Sequence, residues 1–383
     1  MTHQALRRAR KTTVAPGATR QSGLQGPHPK PALPARTSRA LLLVAFTLLV
    51  ISIYVGYQTL PRGATLQQSG DSWPYQVVDI PGKGKGAIAT QDIQQGELIL
   101  REKPLFLVPA QGFVRGSPGS IILDALEKLS PHSRGAFYNL SYVNLPEDAV
   151  PNTPLFDLQL ALAIFETNAI SAAEDGVGLF PSTARLNHGC SAAFNVVYNW
   201  RSSEGVLVVH ALKPIARGEE LLTTYLDTKR PRDSRRQILQ AQYGFTCQCS
   251  VCSRSDDESK TSDDRLVKIA ELYARFRTWQ NGSISGQQAI DIARKIWALG
   301  EEEGYWSERG QLAADAAVVA AAHADVEATQ RWARLAKKWY AIELGHDSEH
   351  AKAMDAVVAD PKSLGYRLAV QMRAPESVGF PDV

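Results

Sequence analysis

At 383 residues the chain has room for two or three domains. A net charge of +3 with 21% charged residues gives no basic surplus of the kind that marks nucleic-acid proteins, so no direct nucleic-acid binding is expected. Four cysteines are too few for a disulfide-built secreted scaffold.

The charge is unevenly spread. Residues 1–39 carry Arg7, Arg8, Arg10, Lys11, Arg20, Lys30, Arg36 and Arg39 and no Asp or Glu, so the remainder is slightly acidic. This stretch is rich in Pro, Gly, Ala and Thr, lacks periodicity, and reads as a disordered basic arm. Residues 40–60 hold no charge. As a helix they span roughly 30 Å, the thickness of a bilayer core. Arg39 and Arg62 flank them, and Tyr54 and Tyr57 sit near one end, where interfacial aromatics belong. A single transmembrane helix is expected, which makes a membrane a partner and a single-pass membrane location the expected one. A buried core helix, a cleavable signal and a mitochondrial presequence are the rival readings. Positive-inside counting puts the arm in the cytosol and the rest across the membrane. Sequons at Asn139 and Asn281 offer a glycan test of that orientation. Residues 61–72 read as a linker.

The folded part opens with Tyr75–Ile80, a strand, then Pro81-Gly82-Lys83-Gly84-Lys85-Gly86, then a second strand over Ala87–Thr90. On its own the glycine run is a hairpin turn or a weak dinucleotide fingerprint, and it lacks a P-loop ending. Asp92-Ile-Gln-Gln-Gly-Glu-Leu-Ile99 is echoed by Pro214-Ile-Ala-Arg-Gly-Glu-Glu-Leu221; each reads as a glycine turn feeding a strand. Short strands with such turns predict a β-rich core. Residues 118–175 change to helical spacing, as at Ile121, Ile122, Ala125, Leu126 and Leu129, and again at Phe156, Leu160, Ala163, Ile164 and Thr167. Strands are expected over Phe194–Trp200 and Gly205–Leu212, and a helix over Ser234–Tyr243.

All four cysteines lie in two motifs, Asn187-His-Gly-Cys190 and Tyr243-Gly-Phe-Thr-Cys247-Gln-Cys249-Ser-Val-Cys252. Cys190, Cys247, Cys249 and Cys252 supply four thiolates, which suits a closed, structural Zn2+ site. Cys247 and Cys249 are too close to bridge each other comfortably. The last 120 or so residues carry apolar stripes, Leu266, Ile269, Ala270, Tyr273 and Phe276 in one and Trp332, Leu335, Ala336, Trp339 and Tyr340 in another, as helical bundles or paired helical repeats do.

Asn-His-x-Cys, a tyrosine about thirty-five residues on, then Cys-x-Cys-x-x-Cys resembles the SET-domain lysine methyltransferases with a post-SET tail. The likeness is to the SMYD type without its MYND finger, since no cysteines remain to build one. The resemblance implies an α+β fold: a β-rich SET domain over 73–246 with a helical insert at about 118–175 and a knot-like crossing, a zinc tail over 247–254, and a C-terminal helical domain over 255–383. It implies S-adenosyl-L-methionine as methyl donor and a protein lysine as acceptor. Tyr225 is the matching catalytic tyrosine. Gly84, Lys85, Gly86, Asn168, Asn187, His188, Tyr225 and Phe245 match donor-binding positions. Asn168 reads equally well as a helix C-cap, and Phe245 as packing against the zinc lobe. One departure stands out: the family continues Cys-x-Pro-Asn, whereas this chain has Cys190-Ser-Ala-Ala-Phe-Asn195. The implied activity is a membrane-anchored protein-lysine N-methyltransferase, with a catalytically silent SET scaffold as the alternative.

Overall fold

The computed structural model describes residues 73–109, 117–364 and 372–381. The basic arm (1–39), the expected membrane helix (40–60) and the linker (61–72) lie outside the described residues. Among the described residues no helix is long and apolar enough to cross a membrane.

Among the described residues ten short strands form four small sheets. β1 (Tyr75–Ile80) and β2 (Gly84–Ala89) make an antiparallel hairpin. The second strand starts earlier than expected because pairing runs into the glycines, with Gly84 opposite Ile80 and Gly86 opposite Val78. β3 (Leu98–Glu102), β8 (Val196–Arg201) and β9 (Val206–Ala211) form an antiparallel sheet with β9 central. All six residues of β9 are buried, as its run of Val, Leu and Val requires. β4 (Leu107–Val108), β5 (Ala169–Ser171) and β6 (Val177–Leu179) form a third sheet. β7 (Asn187–His188) lies parallel to β10 (Leu222–Thr223). The two echoed turns pair with each other. Ile93 and Ile215 exchange backbone hydrogen bonds of 2.8 and 2.9 Å, and Gly96 and Gly218 both take the positive φ that glycine permits.

Between β4 and β5 run α1 (Pro118–Glu127), α2 (Pro131–Tyr138) and α3 (Pro154–Asn168). Each starts with Ser or Thr followed by Pro, a residue suited to the first helical position because its missing N–H would be unpaired there. Ser130 and Thr153 also cap their helices by accepting from Ser133 and Phe156 N–H. Residues 169–171, inside the expected helical insert, are extended instead: they leave α3 to pair with β6.

α4 (Arg232–Tyr243) ends at Gly244 in the left-handed conformation and delivers the three-cysteine tail. Further helices follow: α5 (Asp256–Arg277), α6 (Gly286–Glu303), α7 (Arg309–Ala322), α8 (Val326–Leu344) and α9 (Glu349–Ala359). Ser255 with Glu258 and Ser285 with Gln288 form capping boxes at the starts of α5 and α6. Trp332, Leu335, Ala336, Trp339 and Tyr340 are buried in the resulting core.

Glu303, at the end of α6, joins this helical layer to the motif strand. It is 2% exposed; it accepts from Ser262 Oγ (2.6 Å) and Ser191 Oγ (3.0 Å) and pairs with Arg265 (3.0 Å) and Arg254 (3.5 Å). Ser191 directly follows Cys190 and has positive φ. Glu303→Ala strands two partly exposed arginines and two buried hydroxyls. It should lower unfolding free energy in urea by about 2 kcal/mol, with Glu303→Gln costing less.

Candidate active site

The glycine hairpin and the Asn-His motif meet directly. Asn187 Nδ2 donates to Lys85 O (3.2 Å) and Glu220 Oε1 (3.0 Å). A Cβ on Gly86 would collide with Ile80 Cδ1 and stand 2.7 Å from that nitrogen and 3.2 Å from the Glu220 oxygen, so the bare glycine makes room for Ile80 and for the Asn187–Glu220 pair. The Lys85 side chain turns to Asp79 at 3.2 Å, and Lys83 pairs with Glu220 at 2.5 Å.

Pairing of β7 with β10 sets Tyr225 beside the motif. The Tyr225 hydroxyl donates to Leu186 O at 2.9 Å, and its backbone N–H donates to His188 Nδ1 at 3.0 Å. His188 is buried, and burial pushes its pKa down to about 4, so the ring is neutral. With Nδ1 accepting, Nε2 carries the proton and donates to Cys190 Sγ at 3.1 Å. One imidazole therefore links the cysteine cluster to the tyrosine backbone.

The four sulfurs of Cys190, Cys247, Cys249 and Cys252 lie within 4.8 Å of one another, and all four residues are buried. Cys190 and Cys252 sulfurs are 3.6 Å apart. Thiolates at 2.3 Å from a tetrahedral zinc stand about 3.8 Å apart, so the set fits that ion. Arg235, fully buried, lies 3.9 Å from Cys252 Sγ and 2.9 Å from Asp263. Its cation offsets the negative charge that bound thiolates would bring.

A cavity of about 680 Å³ opens along this assembly. Lys85, Asn168, Asn187, His188, Tyr225 and Phe245 line it, with Cys247 and Cys249 at the lobe edge. Gly84 and Gly86 do not; Pro81, Gly82, Lys83 and Lys85 are the hairpin residues that do. Asn168 closes α3 and donates through Nδ2 to Ser141 O (2.6 Å) and Ile164 O (2.7 Å). The Phe245 ring sits 6.4 Å from His188. Lining residues that the sequence does not single out as site residues include Tyr198, Tyr243 and Arg185. The Tyr243 ring lies 4.9 Å from Tyr225. Its place one residue before the helix-ending Gly244 of the cysteine motif was the available clue. Burial, then the neighbouring Tyr243, Tyr198 and Glu220, push the Tyr225 hydroxyl pKa up, and it stays protonated.

After Cys190 the missing proline is replaced by a turn, Ser191–Ala193, held by Glu303 and by Lys213 Nζ on Ala192 O at 2.6 Å. Asn195 is turned to structure: Oδ1 accepts from Leu222 N–H (2.8 Å) and Nδ2 donates to Glu220 O (2.9 Å).

The SET domain family matches residues 84–226. The histone-lysine N-methyltransferase set5 of Schizosaccharomyces pombe is 30% identical over 290 residues, covering 76% of this chain and 85% of that protein. Human histone-lysine N-methyltransferase SMYD3 is 34% identical over 149 residues, 35% of this chain and 34% of its own length. Human N-lysine methyltransferase SMYD2 is 35% identical over 97 residues, 25% of this chain and 20% of its own. The fold and site therefore define a SET-domain protein. More particularly, the chain belongs to the SMYD-like SET-domain lysine methyltransferases.

If the four thiolates hold zinc, metal analysis of the purified chain should give one ion per molecule. Cys249→Ser should lower zinc retention at least tenfold and expose the 245–254 segment to protease, since a structural zinc contributes folding energy directly.

Proposed function

We propose that this chain is an S-adenosyl-L-methionine-dependent protein-lysine N-methyltransferase held at a membrane by residues 40–60. The observation that carries the catalytic part is Tyr225, pinned between the Leu186 carbonyl and His188 in a tyrosine-lined cavity. Family membership supports the same reading. The crossing that the family implies would run where β7 lies along β10.

The donor supplies a methyl group on a sulfonium. The residues of this chain supply placement and exclusion of water. Asn187 and His188 would hold the adenosyl part, Asn168 the amino-acid end, and Phe245 the lid over the base. A lysine ammonium at pKa 10.4 lies roughly 4–5 kcal/mol from deprotonation at pH 7. Tyr198, Tyr225 and Tyr243 make an apolar-walled entry that favours the neutral amine. Among the described residues no Asp or Glu lines the cavity, so no carboxylate on its wall holds the ammonium charged. The Tyr225 oxygen, whose proton goes to Leu186 O, keeps its lone pairs for the transferring methyl.

A second reading, a catalytically silent SET scaffold, draws on the altered turn after Cys190. Calorimetry with the donor, then labelled methyl transfer to lysine-bearing proteins, separates the two. Transfer that falls about a hundredfold in Tyr225→Phe with donor binding kept supports the enzyme. Donor binding with no transfer by the native chain supports the scaffold.

The uncharged run from Ala40 to Leu60 supports the anchor. The full chain should resist carbonate extraction from membranes, and a chain lacking residues 1–72 should be released. Protease protection then reports which side the SET domain occupies. Extraction of the full chain would rule the anchor out.

A further inference from the structure

β10 ends at Thr223, and beyond it residues 224–229 have no strand partner among the described residues. Tyr225 thus sits outside any ladder, and side chains fix its segment. At the near end its N–H and hydroxyl go to His188 and the Leu186 carbonyl. At the far end stands Lys229, whose side chain is 12% exposed. Its ammonium lies 2.9 and 3.0 Å from the two Glu308 oxygens, 3.3 Å from the Tyr305 hydroxyl and 3.1 Å from Asp227. The Tyr305 and Tyr273 rings stand 5.4 and 5.9 Å away. A lysine gives up more rotamer freedom than most side chains when it is held, and these ionic and ring contacts offset that loss.

Glu308 reaches Lys229 from an unusual backbone conformation. Its φ is +69°, in the left-handed region where glycine is at ease and glutamate is not. It is the N-cap of α7, yet its side chain does not cap the helix. Glu343 on α8 does so instead, accepting from Gly310 N–H at 3.1 Å. The Glu308 carboxylate is thereby left for Lys229. A strained residue persists where its surroundings over-determine it, which draws notice to the contact it makes.

The same connection between α6 and α7 touches the other half of the site. Tyr305 meets Phe194 edge-on at 6.0 Å, and a Cβ on Gly304 would stand 3.2 Å from the Ala192 Cβ. Residues 304–308 thus brace both the turn after Cys190 and the segment after Tyr225.

We propose that Lys229 is a positioning residue for methyl transfer: latched to Glu308 and Tyr305, it holds the Tyr225 segment against His188. The proposal rests on Tyr225 as the tyrosine beside the transferring methyl, and it names what the helical layer does for that residue.

Glu308→Gly separates this role from plain stability, because it relieves the backbone while removing the carboxylate. Hydrogen exchange read by mass spectrometry on the full chain should show the amides of residues 224–228 opening at least about tenfold faster in Glu308→Gly and in Lys229→Met. Amides of α7 and α8 should stay within about twofold of native, and the melting temperature of Glu308→Gly should not fall. The double variant should exchange no faster than the faster single variant, since both cut one latch. Lys229→Arg should recover most of the protection, because arginine keeps the charge and the reach. In methyl transfer, Glu308→Gly should lower kcat about tenfold with the donor KM within about twofold of native. Unchanged exchange over residues 224–228 in both single variants overturns the proposal. Equal acceleration across α7 and α8 also overturns it and leaves the pair a fold-stabilising contact. If the native chain transfers no methyl, the Tyr225 reading fails, while the exchange result still decides whether Lys229 holds the segment.

Discussion

The site depends on four sulfurs that come from two ends of the domain. Cys190 arrives on the Asn-His strand and the other three on the tail after α4, yet all lie within 4.8 Å. The hydrogen bond from His188 to Cys190 makes the cluster more than a staple, because the opposite nitrogen of the same ring receives the Tyr225 backbone. Disturbing the sulfurs therefore acts on the tyrosine through one rigid imidazole. Arg235, buried against the cluster and paired to Asp263 on α5, extends the same dependence into the helical layer.

That helical layer also accounts for the chain's departure from the family motif. A proline after Cys190 would stiffen the turn by itself. Here the turn is held from outside, by Glu303 on Ser191 and Lys213 on Ala192 O. Asn195 still serves the turn's far side, locking it to β10 through Leu222 N–H. The turn's rigidity comes from tertiary contact, and Glu303 ties the domain to its C-terminal helices at this point.

Much of this was legible in the residues. Sparse cysteines in two spaced motifs pointed to one cluster, and the glycine turns pointed to short strands. The echoed segments proved to be partners, joined through Ile93 and Ile215. What was hidden follows a common pattern. Arg185 and Glu303 act through neighbours distant in sequence, and nothing in their local context sets them apart from ordinary helix or turn residues. Gly86 was legible as a needed glycine, but the atoms that require it, on Ile80, Asn187 and Glu220, could be seen only in the fold. The extension of residues 169–171 likewise reflects pairing with β6 overriding helical spacing.

The mutual pairing of the two echoed turns bears on how the molecule is made. One member lies near the start of the folded part and the other near the end of the SET match, with the whole helical insert between them. During synthesis the first turn must wait, its edge open, until the ribosome has released the second. Closure at such separation is slow, and an unpaired edge invites wrong partners in the meantime. The helices α1, α2 and α3, two of them capped by side chains, lie between the two turns and form from contacts close in sequence.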